Sequence, residues 1–172
     1  MAGNHLLSNG VHNRYTWYDS TTIDTNLHNN ISFARNDWNN TPTHVWFIET
    51  ADKPSSVMDI YHSNTYFPSN SGTLAQTVFY SGNYQVNPSN QNYGWARIYI
   101  NDPLFDNYLS TYHWSGIGYV NQKKGVLAHE MGHVFGLDHV GNIQALMYTS
   151  GDQCQVDAAT QDEINGVNYL YP

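Results

Sequence analysis

The stretch "AHEMGHVFGLDH" at residues 128–139 places three histidines and a glutamate within one short segment. His129 and His133 are four residues apart, so on a helix of about 100° per residue they lie one turn apart on the same side. The apolar residues of the segment fall on the opposite side, and they are Leu127, Met131, Val134 and Phe135. The pattern predicts a helix that begins near Asn121, buries one side and leaves the histidine side free.

The same segment supplies what a metal site needs. Gly136 tolerates a positive φ and commonly ends a helix, so the chain can turn there and bring His139 back toward the other two histidines. Three imidazoles with a fourth position left for water are the ligand set of a catalytic zinc site. Glu130 lies beside the histidine pair and can reach a water there without being a ligand. The alternatives are an exposed helix side with unrelated histidines, or a structural zinc closed by a fourth ligand such as His113.

These motifs also carry a family resemblance. "HEMGHVFGLDH" (129–139) has the form H-E-x-x-H-x-x-G-x-x-H and resembles the zinc site of the metzincin metallopeptidases. "ALMYTS" (145–150) resembles the Met-turn of the matrixins, the matrix-metalloproteinase-type branch, and "TQDEINGVNYLY" (160–171) resembles their C-terminal helix. The resemblance covers the last third of the chain closely, and a composition poor in charged residues, often seen in exported bacterial proteins, suggests a bacterial member.

The resemblance implies roles for five residues. It assigns zinc binding to His129, His133 and His139, and the role of general base and then general acid to Glu130. It places Met147 as the hydrophobic floor beneath the zinc, whereas without the resemblance Met147 would be an ordinary core methionine.

We therefore expect a zinc-dependent endopeptidase with one catalytic zinc. An alternative of a different class is a catalytically silent, zinc-containing module that binds protein or carbohydrate on the same fold. The intact Glu130 favours the enzyme, because a module without chemistry has no need for a carboxylate at that position.

The family layout also implies where a peptide substrate binds. "GTLAQTVFY" (72–80) matches the edge strand above the cleft, and Leu74 and Ala75 are its residues nearest to a peptide that pairs antiparallel with it. The segment after the Met-turn methionine would line the S1′ pocket with Tyr148, Thr149 and Ser150. For Tyr148 a core aromatic is the alternative.

Outside these motifs, the pattern predicts a sheet covered by helices. Short β-prone runs bounded by Asn, Ser, Gly or Pro predict strands at 14–19, 44–50, 56–62, 73–80 and 95–100. A helical stripe follows the first strand, formed by Leu27, Ile31, Ala34 and Trp38. Residues 101–120 and 140–159 have the pattern of irregular connections. Thr160 with Glu163 forms a capping box that begins the last helix.

The resemblance makes this an α+β fold in a single catalytic domain, residues 1–172. It implies a twisted, mostly parallel five-stranded sheet with an antiparallel edge strand, packed against long helices. The active-site cleft would lie between a larger N-terminal subdomain, about 1–136, and a smaller C-terminal subdomain, about 137–172.

Some positions depart from the family. Matrixins usually carry a second, structural zinc, and Gln76 and Arg97 stand at the corresponding histidine places. His62 with Asp59 is a poor substitute as a metal pair. We therefore expect no matrixin-type structural zinc, and calcium sites have no support. Thr149 replaces a proline found in many relatives, which leaves the shape of the S1′ pocket open.

Composition limits the partners. Six basic against 14 acidic side chains give a net charge of −8, which disfavours nucleic acid as a partner. The resemblance implies a protein or peptide substrate. No run approaches the roughly 20 apolar residues of a membrane-spanning helix, so we expect no membrane insertion. The N-terminal residues have no signal-peptide pattern, and we expect a secreted monomer whose targeting segment lies outside this chain. Cys154 is the single cysteine, so no intrachain disulfide can form.

Overall fold

A computed structural model describes residues 5–63, 65–68, 71–116, 118–150, 153 and 155–172, which leaves Cys154 outside the described residues. Its main sheet has six strands in the order β2-β1-β3-β6-β4-β5. The strands are β1 (Arg14–Tyr18), β2 (Phe47–Glu49), β3 (Ser56–Ser63), β4 (Ala75–Ser81), β5 (Tyr84–Val86) and β6 (Trp95–Asn101). All five predicted strands are therefore present, each within a few residues of its expected bounds.

The pairing makes the sheet mostly parallel. β1 pairs in parallel with β2 and β3, and β3 pairs in parallel with β6. β4 runs antiparallel to β6, and β5 runs antiparallel to the last residues of β4. The expected α+β architecture is confirmed, but the sheet has six strands, not five, because a short hairpin adds β5 outside β4. The turn of this hairpin begins at Gly82, whose φ of 57° suits a two-residue hairpin turn.

In the described residues, four α-helices accompany the sheet: α1 (Thr25–Asn39), α2 (Asp102–Tyr108), α3 (Gln122–Val134) and α4 (Gln161–Leu170). A short 3₁₀ turn, Lys53–Ser55, precedes β3. The helix starts follow from their caps. The Asp24 side chain accepts the Leu27 N–H of α1 at 2.8 Å, and the Asn121 side chain accepts the Lys124 N–H of α3 at 3.0 Å. The capping box predicted for α4 is present at Thr160 and Glu163.

The expectation of an irregular connection over residues 101–120 is wrong. This segment contains α2 and then a separate two-stranded hairpin, β7 (His113–Ser115) and β8 (Gly118–Val120). α2 has only seven residues, with a proline in its first turn, and Phe105 within it and Leu109 directly after it are buried. Elements this short give too little periodicity to recognise in the sequence.

The core lies between one face of the sheet and the pair α1 and α3. Trp38 of α1 is buried and donates its Nε1–H to the Ala128 carbonyl of α3 at 2.9 Å. Phe135, at the end of α3, contacts the rings of Trp38 and Phe47, with centroid distances of 4.9 and 5.3 Å. These contacts fix α3 against both α1 and the sheet. Within the described part of the chain, no helix has the length and apolar character needed to cross a membrane.

Candidate active site

The end of α3 has the geometry that the glycine was expected to provide. Gly136 has a φ of 90°, a left-handed conformation that L side chains rarely adopt. Its N–H donates to the His133 carbonyl at 2.9 Å, and the Leu137 N–H donates to the Gly132 carbonyl at 3.0 Å. This pair of hydrogen bonds is a Schellman motif, which ends the helix and turns the chain back. A Cβ at Gly136 would also lie 3.0 Å from the His5 carbonyl oxygen, so the backbone at His5 packs against the bend and leaves little room for a side chain there.

The bend brings the three histidines together. His139 Nε2 lies 3.2 Å from His129 Nε2 and 3.2 Å from His133 Nε2. Two ring nitrogens bound to one tetrahedral zinc at 2.0–2.1 Å would lie about 3.3 Å apart. In the described part of the chain, this triad is the only group of three or more His, Cys, Asp or Glu residues able to hold a metal ion. The spacing of the imidazoles therefore fits a zinc ion.

The hydrogen bonds of the helical histidines point their free nitrogens toward this centre. His129 Nδ1 lies 2.7 Å from the Leu146 carbonyl, and His133 Nδ1 lies 2.9 Å from the Leu137 carbonyl. A carbonyl can only accept, so each Nδ1 carries the proton and each Nε2 presents a lone pair. Burial, together with the nearby His133, lowers the pKa of His129 to about 3, and burial also lowers the pKa of His139. Neutral imidazoles are the form that binds metal.

Glu130 lies in the same cleft, with only 6% of its surface exposed. The Thr77 hydroxyl of β4 lies 2.6 Å from Glu130 Oε2 and 3.1 Å from the Glu130 carbonyl oxygen. Burial raises the pKa of Glu130, while the neighbouring His133 and the Thr77 hydrogen bond act in the opposite direction. The carboxylate is therefore both desolvated and oriented. Thr77 was not predicted from the sequence, because its role depends on the register of β4 against α3.

Met147 packs directly against α3. A Cβ at Gly132 would lie 2.5 Å from Met147 Sδ, so only glycine leaves room for the sulfur at that position. Gly132 directly precedes the second histidine, which places the thioether beneath the histidine pair. The Met147 N–H donates to Glu163 Oε1 of α4 at 3.1 Å. Glu163 is thus a second residue whose contact with the site the sequence analysis missed.

A cavity of about 1040 Å³ runs along α3 and contains the triad and Glu130. Leu74, Ala75, Thr149 and Ser150, all predicted to bind substrate, line it. Tyr148 is half-buried and is not among the lining residues. Residues that the sequence analysis did not place at the site also line the cavity, and these include His5, Thr77, Phe79, Leu104, Tyr108 and Val126. The described residues that line it include no lysine or arginine.

Other residues stand at the positions that correspond to the ligands of the family's structural zinc. The Arg97 guanidinium on β6 lies over the rings of Trp95 and Tyr80, at 4.9 and 5.0 Å from their centroids. Asp59 and His62 are an odd number of residues apart on β3, so their side chains point to opposite faces of the sheet. His113, the alternative fourth ligand, is not part of the triad's metal-binding group. The absence of a structural zinc stays a prediction.

The fold and the cleft define a class of architecture: a mostly parallel sheet, an antiparallel strand over the cleft, and a helix that carries two of three converging histidines and ends in a glycine bend. The sequence profile of the matrixin family of peptidases matches residues 12–172. The chain therefore belongs to the matrixin family, and its catalytic domain is of the metzincin type. This membership confirms the resemblance inferred from the motifs.

Proposed function

We propose that this matrixin is an active zinc-dependent endopeptidase that hydrolyses peptide bonds in proteins. The observation that carries the proposal is the Glu130 carboxylate, held by Thr77 beside three converging imidazoles in an open cleft. Burying a carboxylate costs free energy, and a silent binding module gains nothing from it. The geometry therefore favours chemistry over binding alone.

In this proposal, different residues bind the metal, bind the substrate and transfer the proton. His129, His133 and His139 would hold the zinc, which when bound polarises the scissile carbonyl and makes an attacking water more acidic. Among the described residues, no strand pairs with the outer side of β4 before Phe79, so a peptide can pair antiparallel there with Ala75 and with Leu74, which directly precedes the strand. Glu130 Oε2 is engaged by Thr77, which leaves Oε1 to accept the proton of the water. Glu130 then delivers that proton to the departing amine nitrogen.

The test is the variant Glu130→Ala, compared with wild type and with Asp162→Ala, which removes an exposed carboxylate on α4. Zinc content is measured by elemental analysis, and hydrolysis is measured on casein and on a peptide library derived from a proteome. We expect all three proteins to hold one zinc. We expect Glu130→Ala to lose about 10³-fold or more of the hydrolysis rate, and Asp162→Ala to lose none.

Two other outcomes would contradict the proposal in different ways. If Glu130→Ala keeps its activity, Glu130 is not the base and the mechanism is wrong. If the zinc-loaded wild-type protein cleaves neither casein nor any library peptide, the chain is the silent binding module instead.

A further inference from the structure

Four exposed aromatic side chains lie within a short segment between β6 and α3. Tyr108, Tyr112, Trp114 and Tyr119 have 68%, 61%, 70% and 75% of their surfaces exposed, and we call them the aromatic rim. Trp114 and Tyr119 are cross-strand partners on the β7–β8 hairpin, with ring centroids 5.3 Å apart and planes at 85°. Tyr and Trp exposed together are typical of binding surfaces, because they offer large contact area at little cost in side-chain entropy.

Buried residues of the same segment attach the rim to the core. Phe105, Leu109 and Val120 are buried, with at most 4% of their surfaces exposed. The Ser110 N–H and hydroxyl both lie 3.0 Å from Gln122 Oε1, at the start of α3. The segment that carries the exposed rings is therefore itself packed against the core.

The rim reaches the cleft through Tyr108. Leu104 and Tyr108 are four residues apart on α2, and both line the cavity that contains Glu130. Val126, about one turn before Glu130 on α3, also lines this cavity. Tyr108 thus belongs both to the cleft and to the rim.

The direction of the cleft places the rim on one side of the scissile bond. The Asn101 N–H donates to the Leu74 carbonyl at 2.8 Å, and the Asn101 side-chain amide donates to the Thr73 carbonyl at 2.8 Å. α2 begins at the next residue, so it lies beside the N-terminal end of β4. A peptide antiparallel to β4 has its C-terminal part at that end. The part of the substrate after the scissile bond therefore leaves the cleft toward the rim.

We propose that the aromatic rim is an extension of the substrate site that binds apolar, aromatic or proline residues of a polypeptide several positions after the scissile bond. This inference rests on the proposed endopeptidase function. A neutral aromatic surface suits such side chains better than charged ones. Lys123, beside the rim on α3, is held in an ion pair with Asp106 at 2.7 Å and leaves little free positive charge for an anionic membrane.

The test uses synthetic peptides based on one cleavage site that wild-type protein makes in casein. The core peptide spans the scissile bond, a second peptide adds about six residues on the C-terminal side, and a third adds about six on the N-terminal side. Six extended residues span roughly 20 Å. The variants are Trp114→Thr and Tyr119→Thr, because threonine keeps the strand preference of the hairpin. The matched control is Tyr169→Thr, which removes an equally exposed aromatic ring on α4.

For wild type and for the Tyr169 control, we expect the C-terminal extension to lower KM by about fivefold or more. In both rim variants this gain should disappear, while kcat and KM on the core peptide and the effect of the N-terminal extension stay unchanged. An intact response to the core peptide shows that the variants are folded.

Each remaining result overturns the proposal. Rim variants that keep the gain from the C-terminal extension, or a wild-type protein that gains nothing from it, would exclude the rim as a substrate site. Binding to vesicles of phosphatidylcholine and phosphatidylserine that is lost in Trp114→Thr would make the rim a lipid-binding surface. If wild type hydrolyses no peptide at all, the endopeptidase function itself fails and the rim proposal falls with it.

Discussion

At the scale of single residues, the contact on which the proposed chemistry depends most joins Glu130 to Thr77. The motif in the sequence predicts which carboxylate acts, but not what holds it. The hydroxyl 2.6 Å from Oε2 comes from a strand 53 residues earlier, and it faces Glu130 only because Thr77 lies on the inner face of β4. A shift of one residue in that register would turn Thr77 outward and leave the carboxylate without this partner.

Thr77→Val keeps the shape of the side chain and removes the hydrogen bond. We expect kcat to fall by about 10-fold to 100-fold with little change in KM, because a hydrogen bond to a charged group contributes about 1.5–3 kcal/mol and orients Oε1 for proton transfer. Zinc content should not change. Steady-state kinetics on one casein-derived peptide measure this, with Thr77→Ser as the control that retains the hydroxyl and most of the activity. A kcat equal to wild type in Thr77→Val would mean that the bond does not position the base.

At the scale of elements, Glu163 links the last helix to the segment beneath the metal site. The sequence predicts its part in the capping box, and the Thr160 N–H and hydroxyl do lie 2.8 and 2.6 Å from its Oε2. Its other oxygen accepts the Met147 N–H, a contact that no local sequence pattern predicts. One buried carboxylate thereby fixes both the start of α4 and the position of the Met147 backbone.

Glu163→Ala should therefore cost more stability than the loss of a helix cap alone. The buried Met147 N–H and the partly buried Thr160 N–H both lose their acceptor, and we expect the free energy of unfolding of the zinc-loaded protein to fall by about 2–4 kcal/mol. Asp162→Ala, one position earlier and exposed, should cost only about 0.5 kcal/mol through the helix dipole. Urea denaturation of both variants measures the difference. Equal losses in the two variants would show that Glu163 does not join the two elements.

The same scale shows what sequence patterns can and cannot predict. α1, α3 and α4 were predictable because each combines a capping residue with an apolar stripe, as Asp24 and the residues from Leu27 to Trp38 do. α2, β5, β7 and β8 were missed because each has only three to seven residues, too few for a period to emerge. The aromatic rim was missed for the same reason, since it is carried by two of these short elements.

At the scale of the whole molecule, the site depends on segments far apart in the chain. Asp157 accepts the Asn121 N–H at the start of α3 and also lies 3.2 Å from Lys124, whose ammonium pairs with Asp37 of α1 at 2.6 Å. The three converging histidines were predictable because they lie in one short segment, two of them one helical turn apart and the third just past a glycine. The strand order, the position of Thr77 and the contribution of α2 to the cleft were not, because they arise only when distant segments meet.

Zinc should connect these segments further, since two of its ligands lie on α3 and the third lies beyond the glycine bend. A ligand that binds only the folded state at 100 times its Kd adds about 2.7 kcal/mol of stability, so removal of zinc with a chelator should lower Tm by about 5–10 °C. Differential scanning calorimetry with and without zinc measures this shift.

His139→Ala should lose most of the gain in Tm that zinc gives, because two imidazoles bind zinc more weakly than three. His12→Ala, which removes an exposed histidine away from the cleft, should keep it. If His139→Ala gains as much from zinc as wild type does, then the bend does not deliver the third ligand, and the metal is held in some other way.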